Sequence, residues 1–153
     1  AGSVGIMGVL ADEYLRLGGH VIGVIPSFME PWEVKHKGIQ ECYVTETMHS
    51  RKQKMAELAD GVIALPGGFG TLDELFEMLT WKQLDLHQMP ISVLNTNGYY
   101  DHLMAQLQHM VDEGFLKSPN LEALQVETNP AVLVDYIMGY EPEKMEKKWI
   151  YRG

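Results

Sequence analysis

The segment from Gly61 to Glu74 constrains the fold more than any other part of the chain. It reads Gly-Val-Ile-Ala-Leu-Pro-Gly-Gly-Phe-Gly-Thr-Leu-Asp-Glu, a short apolar run followed by proline and three glycines. Such an apolar run is typical of a strand buried on both faces of a parallel sheet, and the proline ends it. Glycine lets a ligand approach the backbone closely and permits a positive φ. The segment therefore predicts a strand, a glycine turn and a helix.

The helix after this turn is predicted to begin as an anion-binding site. We expect Thr71 to cap a helix that starts at Leu72, with Glu74 completing a capping box. Amide groups at a helix start, together with the helix dipole, favour a bound anion. A strand-to-helix turn alone would not need three glycines in four positions, so we interpret it as a phosphate site rather than as a simple tight turn.

The common phosphate-binding motifs do not fit this turn. A P-loop ends in Gly-Lys-Ser/Thr, whereas Gly70 is followed directly by Thr71. The turn also lacks the dinucleotide spacing Gly-x-Gly-x-x-Gly, so ATP and NAD sites are disfavoured. A mononucleotide or a sugar phosphate is the ligand class that remains.

Composition narrows the choice of partners. The chain has 12 Lys and Arg residues against 21 Asp and Glu, a formal net charge of −9 that disfavours nucleic acid and anionic membranes. The single cysteine, Cys42, excludes an internal disulfide and suits a reducing cytoplasm. No apolar stretch is long enough to span a membrane, and the histidines show no metal-ligand spacing. We predict a cytoplasmic protein without a metal.

Apolar runs alternate with helical stretches along the chain, which predicts an α/β fold: a doubly wound parallel sheet with helices on both faces. We expect one domain over 1–140 and a charged extension over 141–153. A glycine-rich segment opens the chain with no strand before it, so an N-terminal strand–helix–strand is expected to be missing. The predicted strands are 21–25, 41–45, 62–65, 91–94 and 123–126, and the predicted helices are 5–17, 46–59, 72–86, 99–113 and 130–139.

Two helix ends carry recognisable signals. Thr128 precedes Pro130, which suits an N-cap followed by proline in the first turn. Gly114 follows the predicted helix 99–113, where a left-handed cap is expected.

The predicted helix 46–59 carries an arginine on its apolar stripe. Met48, Met55 and Leu58 share the stripe, and Arg51 falls within it. A guanidinium that faces a core must be paired or hydrogen-bonded, because it keeps its charge. Either Arg51 extends from the edge of the stripe into water, or it points to an anion or carboxylate at the ligand-binding edge of the sheet.

Glu74 also allows two interpretations. As a capping residue it would contribute about 1 kcal/mol to the helix start. Beside a bound ribose, its carboxylate could bond the sugar hydroxyls and stabilise positive charge that develops at the anomeric carbon, as in an oxocarbenium-like transition state. Asp73 is the weaker candidate, since an acidic residue favours any helix N-terminus.

The predicted helix 72–86, which contains Glu74, is apolar over most of its circumference. A helix of this kind is usually buried on two sides, which predicts a homodimer in so small a domain. The apolar residues are Leu75, Phe76, Met78, Leu79 and Trp81.

These motifs resemble those of the LONELY GUY (LOG) family of cytokinin-activating phosphoribohydrolases, often labelled "lysine decarboxylase". The family motif Pro-Gly-Gly-x-Gly-Thr-x-x-Glu matches residues 66–74, and its Arg-Lys pair after Met-His matches residues 51–52. Segments 2–8, 80–84 and 97–100 also resemble family segments. The resemblance implies a Rossmann-like homodimer without an organic cofactor. It also implies hydrolysis of the N-glycosidic bond of a nucleoside 5′-monophosphate to free base and ribose 5-phosphate.

The resemblance further implies roles for particular residues. Arg51 and Glu74 would be the catalytic pair. Decarboxylation would need pyridoxal phosphate on a Schiff-base lysine, and the surroundings of Lys52 and Lys54 suggest no such site. Pro31-Trp32-Glu33 departs from the family's usual Pro-Arg-Glu. The implied substrate-binding residues are Glu33, Met48, Arg51, Lys52, Gly67, Gly68, Phe69, Gly70, Thr71, Leu72, Asp73, Glu74 and Thr80.

A second class of function shares this scaffold: a carrier or sensor that binds a nucleotide or a molybdenum cofactor without hydrolysis. Such a protein needs the glycine turn but has no use for an arginine opposed to a carboxylate, so Arg51 and Glu74 favour the enzyme. The sequence leaves the preferred base open between adenine and prenylated adenine, and the biological role open between hormone activation and nucleotide salvage.

Overall fold

The computed structural model describes residues 5–30, 36 and 38–142. The chain divides into two compact units, residues 1–59 and 60–153. Every strand pair among the described residues is parallel, which confirms the predicted α/β fold with parallel sheets. The single domain over 1–140 and the missing N-terminal strand–helix–strand stay predictions, and the extension lies outside the described residues from 143 onward.

The first unit, as described, holds a two-stranded sheet with helices before and after it. Helix α1 (Gly5–Arg16) leads to strand β1 (Ile22–Pro26), which a short 3-10 turn follows. Strand β2 (Glu41–Thr45) pairs with β1 over all five residues and leads to helix α2 (Met48–Leu58). Four of the five β1 residues are buried, so this strand forms the core of the unit.

The second unit holds a three-stranded sheet in the order β3–β4–β5. The strands are β3 (Val62–Ala64), β4 (Ile91–Leu94) and β5 (Leu124–Glu127). The helices are α3 (Phe69–Gln83), α4 (Asp101–Asp112), α5 (Ser118–Glu122) and α6 (Pro130–Met138). The largest side chains of the core are Tyr100, Leu75, Ile91, Leu133 and Val93.

The helix ends test the capping predictions. Gly114 has φ +80° and donates its amide to the carbonyl of Val111, which confirms the left-handed cap after α4. Thr128 as the cap of α6 is wrong: Asn129 is the N-cap, and its side chain accepts from the amide of Ala131 at 2.9 Å. Because proline takes the first helical position, the cap falls on the residue directly before it.

Helix α5 is absent from the sequence prediction, because a helix of little more than one turn leaves no periodic apolar pattern. Among the described residues, no helix combines the length and the apolar character needed to span a bilayer.

Candidate active site

The predicted phosphate site lies where β3 ends and the chain turns into α3. Helix α3 begins at Phe69 with Gly68 as its N-cap, and this glycine has no side chain to form a cap hydrogen bond. The amide of Leu72 is the first to bond within the helix, to the carbonyl of Gly68 at 3.1 Å. The preceding amide groups have no intrahelical acceptor, and they lie at the positive end of the helix dipole. This end of α3 can therefore bind an anion.

The prediction that Thr71 caps the helix is wrong. Thr71 is the third residue of α3 and Glu74 is the sixth, so the two cannot form a capping box. The backbone of Gly68 is extended (φ −94°, ψ −152°), and the helical conformation starts directly after it, three residues earlier than predicted. Glycine is itself an acceptable N-cap. The capping interpretation of Glu74 has thereby lost its basis.

The glycines of the turn serve close approach rather than a positive φ. None of the three glycines Gly67, Gly68 and Gly70 has a positive φ. The expectation that the motif uses glycine for a positive φ is therefore wrong. A Cβ at Gly67 would collide with Oγ1 of Thr71, so glycine lets the turn pack against the helix. A Cβ at Gly68 or Gly70 would meet no atom within 4 Å, so both border open space beside the amide groups.

Glu74 is half-buried and shares a face of α3 with Gly70 and Thr71, four and three residues earlier. Its position is about 7.5 Å along the helix axis from Phe69. In a helix the Cα–Cβ bonds tilt toward the N-terminus, so the side chain of Glu74 leaves the backbone on the side of the glycine turn. The neighbouring Asp73 is exposed.

Arg51 is the fourth residue of α2 and is half-buried. Its Nε donates to the backbone carbonyl of Val24 in β1 at 3.1 Å, so the side chain crosses from the helix to the sheet. This favours the interpretation in which Arg51 turns inward over the one in which it extends into water. The apolar stripe is less buried than predicted, because no residue of α2 is fully buried and Leu58 is 39% exposed.

Two side chains form a capping box at the N-terminus of α2. Oγ1 of Thr47 accepts from the amide of Ser50 at 3.0 Å, and Oγ of Ser50 accepts from the amide of Thr47 at 3.0 Å. This capping box was not predicted, because serine stands where glutamate or glutamine is usual. The half-buried Met48 and Lys52 belong to the helix that the box starts.

The remaining predicted contacts differ in their distance from the turn. Phe69 is at the turn and 94% exposed, and Leu72 is half-buried beside it. Thr80 lies eleven residues after Phe69, about 16 Å along the axis of α3. Its hydroxyl donates to the carbonyl of Phe76 at 2.7 Å. Glu33 lies outside the described residues.

Tyr99 and Tyr100, which lie in the segment 97–100 but had no predicted role, contact the backbone of the glycine turn. The hydroxyl of Tyr99 donates to the carbonyl of Gly67 at 2.7 Å, and that of Tyr100 donates to the carbonyl of Leu65 at 2.6 Å. Both tyrosines follow β4, which pairs with β3. Because neighbouring parallel strands end at the same edge of a sheet, the turns after these two strands had to meet. That topology was the available signal.

A buried lysine lies at the other end of α3. Lys82 is 5% exposed, and its Nζ donates to the carbonyl of Met89 at 2.6 Å and to the hydroxyl of Tyr140 at 2.9 Å. Burial lowers the pKa of His87, and Lys82 lowers it further, while a hydrogen bond with the carbonyl of Met78 opposes both. Lys82 connects α3 to the segment after α6. Within the described residues, no three His, Cys, Asp or Glu side chains converge as metal ligands.

Comparison with known proteins identifies the family. The family model described as "Possible lysine decarboxylase" matches residues 7–137. The chain is 43% identical over 142 residues to the cytokinin riboside 5′-monophosphate phosphoribohydrolase LOG7 of Arabidopsis thaliana, covering 93% of this chain and 65% of that protein. It is 40% identical to LOG2 of the same plant, with 93% and 67% covered. It is 39% identical to the probable enzyme LOGL2 of Oryza sativa subsp. japonica, with 93% and 58% covered.

The chain thus spans 58% to 67% of the length of these three relatives. The identity extends over nearly the whole of the present chain and includes both units. The chain belongs to the LOG family.

Proposed function

We propose that this chain hydrolyses the N-glycosidic bond of a nucleoside 5′-monophosphate, releasing free base and ribose 5-phosphate. The observation that carries the proposal is the start of α3 at Phe69, whose N-cap is a glycine without a side chain and beside which Gly68 and Gly70 border open space. Such a helix start suits a phosphate group. Because the relatives are named for a cytokinin riboside 5′-monophosphate, a cytokinin nucleotide is the first substrate to test.

In the proposed reaction, the first amide groups of α3 bind the phosphate and so fix the ribose. Glu74 is somewhat more than one helical turn further along α3, which leaves room for the pentose between phosphate and carboxylate. The carboxylate stabilises positive charge at C1′ while the C1′–N bond breaks. Water adds its hydroxyl to C1′, and its remaining proton goes to the departing base.

Arg51 is proposed as the second catalytic residue because it occupies the arginine of the family's Arg-Lys pair. An arginine guanidinium presents several hydrogen-bond donors in a fixed plane. A group with these properties can orient a nucleotide for reaction without taking part in proton transfer. Decarboxylation of lysine is not proposed, since the sequence around Lys52 and Lys54 suggests no Schiff-base lysine.

Release of free base tests the proposal. Protein is incubated with AMP or isopentenyladenosine 5′-monophosphate, and free base is measured by chromatography. Arg51→Ala and Glu74→Ala, each checked for folding, should lower kcat/KM by about 10²–10⁴-fold. Arg16→Ala and Glu113→Ala remove the same charges at exposed positions and serve as controls. Folded Arg51→Ala and Glu74→Ala proteins with wild-type turnover would contradict the proposal.

The same assay separates the two classes of function. Nucleotide binding without base release would support the carrier or sensor instead. A higher kcat/KM for the prenylated nucleotide than for AMP would assign the chain to cytokinin activation, and the reverse would assign it to salvage.

We further propose that the protein is a cytoplasmic homodimer. On α3, Phe76, Leu79 and Trp81 are only half-buried, so apolar surface remains for a partner. Cys42 is a free thiol, which suits a reducing compartment. Light scattering after size-exclusion chromatography should give about twice the 17.3 kDa of one chain, and a mass of one chain would contradict the dimer.

A further inference from the structure

Two tyrosine hydroxyls hold the glycine turn by its carbonyl groups. Tyr99 bonds the carbonyl of Gly67 at 2.7 Å, and Tyr100 bonds the carbonyl of Leu65 at 2.6 Å. These carbonyls flank Pro66, directly before the amide groups that begin α3. Both bonds therefore act on the backbone of the proposed phosphate site, although neither tyrosine belongs to the glycine motif.

The bond from Tyr99 also fixes an amide group. The carbonyl of Gly67 and the amide of Gly68 belong to one planar peptide unit. The described residues include no cis peptide bond, so the Gly68 amide points opposite to the carbonyl that Tyr99 holds. Orienting the carbonyl toward Tyr99 thus orients the N-cap amide of α3 away from it, on the other side of the backbone.

The loop that carries the tyrosines is itself anchored to the sheet. Oδ1 of Asn95 accepts from the amide of Tyr100 at 2.7 Å, and Nδ2 of Asn95 donates to Asp101 at 2.7 Å. Asn95 is 8% exposed, and its own amide donates to the carbonyl of Glu127 in β5 at 2.7 Å. The positions of both hydroxyl groups are therefore set by strands β4 and β5.

Exposure distinguishes this role of Tyr99 from ordinary packing. The Tyr99 side chain is 53% exposed, so it contributes little to the core, and its hydroxyl bond is its principal polar contact with the turn. Its ring meets the buried ring of Tyr100 edge-on, with centroids 5.1 Å apart. Burial, and to a lesser extent Tyr99, raises the pKa of Tyr100, so its hydroxyl stays a donor at physiological pH.

We infer that Tyr99 and Tyr100 are positioning residues that orient the phosphate-binding backbone of the glycine turn. The inference rests on the proposed function, and it gives the tyrosines no contact with the reacting atoms. It predicts that affinity for the phosphorylated pentose depends on the two hydroxyl groups, whereas affinity for the base does not.

Tyr99→Phe tests the inference, because it removes the hydroxyl and keeps the ring. The KM for AMP and the inhibition constant of ribose 5-phosphate should each rise about three- to tenfold, the loss expected for one hydrogen bond. The kcat should stay within about twofold, since no reacting group is removed. Inhibition by adenine, which has no phosphate, should not change. Tyr100→Phe should behave alike, and its ring preserves the packing.

Tyr136→Phe is the matched control. Its ring packs against that of Tyr140 in the same unit, and the variant removes a hydroxyl of the same kind from helix α6. Wild-type constants for AMP and ribose 5-phosphate in folded Tyr99→Phe would overturn the inference while leaving base release intact. Equal weakening of ribose 5-phosphate and adenine would also overturn it. A wild-type protein that neither releases base nor binds ribose 5-phosphate would overturn the proposed function, and this inference with it.

Discussion

Helices α2 and α3 each begin shortly after a parallel strand, yet their N-termini are built in opposite ways. At α2, Thr47 and Ser50 satisfy each other's amide groups in a capping box. At α3, the cap is Gly68, which has no side chain to offer. Both solutions address the same shortage of acceptors at a helix start. The α2 terminus has a side-chain cap within the protein, whereas the N-cap of α3 supplies no side chain, as the proposed phosphate site requires.

The energetic difference between the two termini is small without a ligand. Glycine at an N-cap costs only a few tenths of a kcal/mol relative to serine or aspartate, whereas alanine costs about 1 kcal/mol. Gly68 therefore keeps the terminus of α3 open at little expense in stability. A dianionic phosphate at such a terminus gains from both the amide groups and the helix dipole. An N-terminus without a side-chain cap thus costs little folding free energy and favours the binding of an anion.

The largest effect is expected when a charged side chain caps the N-terminus of α3. Gly68→Asp meets no steric obstacle, because a Cβ there has no atom within 4 Å. Its carboxylate would occupy the amide groups and repel the phosphate, so kcat/KM for AMP should fall about 10²–10³-fold. Steady-state kinetics measure the loss. Gly68→Asn caps equally well without charge and should lose less, and equal losses for both variants would contradict the electrostatic explanation.

Much of the second unit could be predicted from sequence, because its local and global signals agree. The apolar run at β3, the proline and the glycines each pointed to a strand that ends in an open turn, and the structure has that arrangement. The strand at 91–94 has the predicted bounds for the same reason. Parallel pairing followed from the alternation of strands and helices.

The missed features depend on contacts between segments that are distant in sequence. The bonds from Tyr99 and Tyr100 to the glycine turn span more than thirty residues. Periodicity cannot reveal them, although sheet topology could have placed the two loops together. The wrong cap at Thr71 has another cause: a residue with good capping chemistry was preferred to a glycine that caps through its backbone conformation alone.

A second test compares substitutions at two glycines of the same turn, Gly70 and Gly67. Gly70→Ala fills open space beside the first amide groups of α3, so it should raise the KM for AMP about tenfold while stabilising the free protein by about 0.5 kcal/mol. Gly67→Ala should destabilise it by about 1–3 kcal/mol, because its Cβ would collide with Thr71. Urea unfolding and steady-state kinetics measure both effects. Stabilised Gly70→Ala with an unchanged KM would place the phosphate elsewhere.

The smallest effect is expected when the side-chain cap of α2 is removed. Thr47→Ala removes the acceptor for the Ser50 amide, so urea unfolding should show a loss of about 1 kcal/mol. The KM for AMP should stay within about twofold, because the Ser50 amide that loses its cap has its acceptor inside the protein and is not proposed to contact substrate. Thr47→Ser keeps the acceptor and should restore the stability. If Thr47→Ala raised the KM as much as Gly70→Ala does, the capping box would serve the substrate site as well, and the division between a closed and an open helix start would fail.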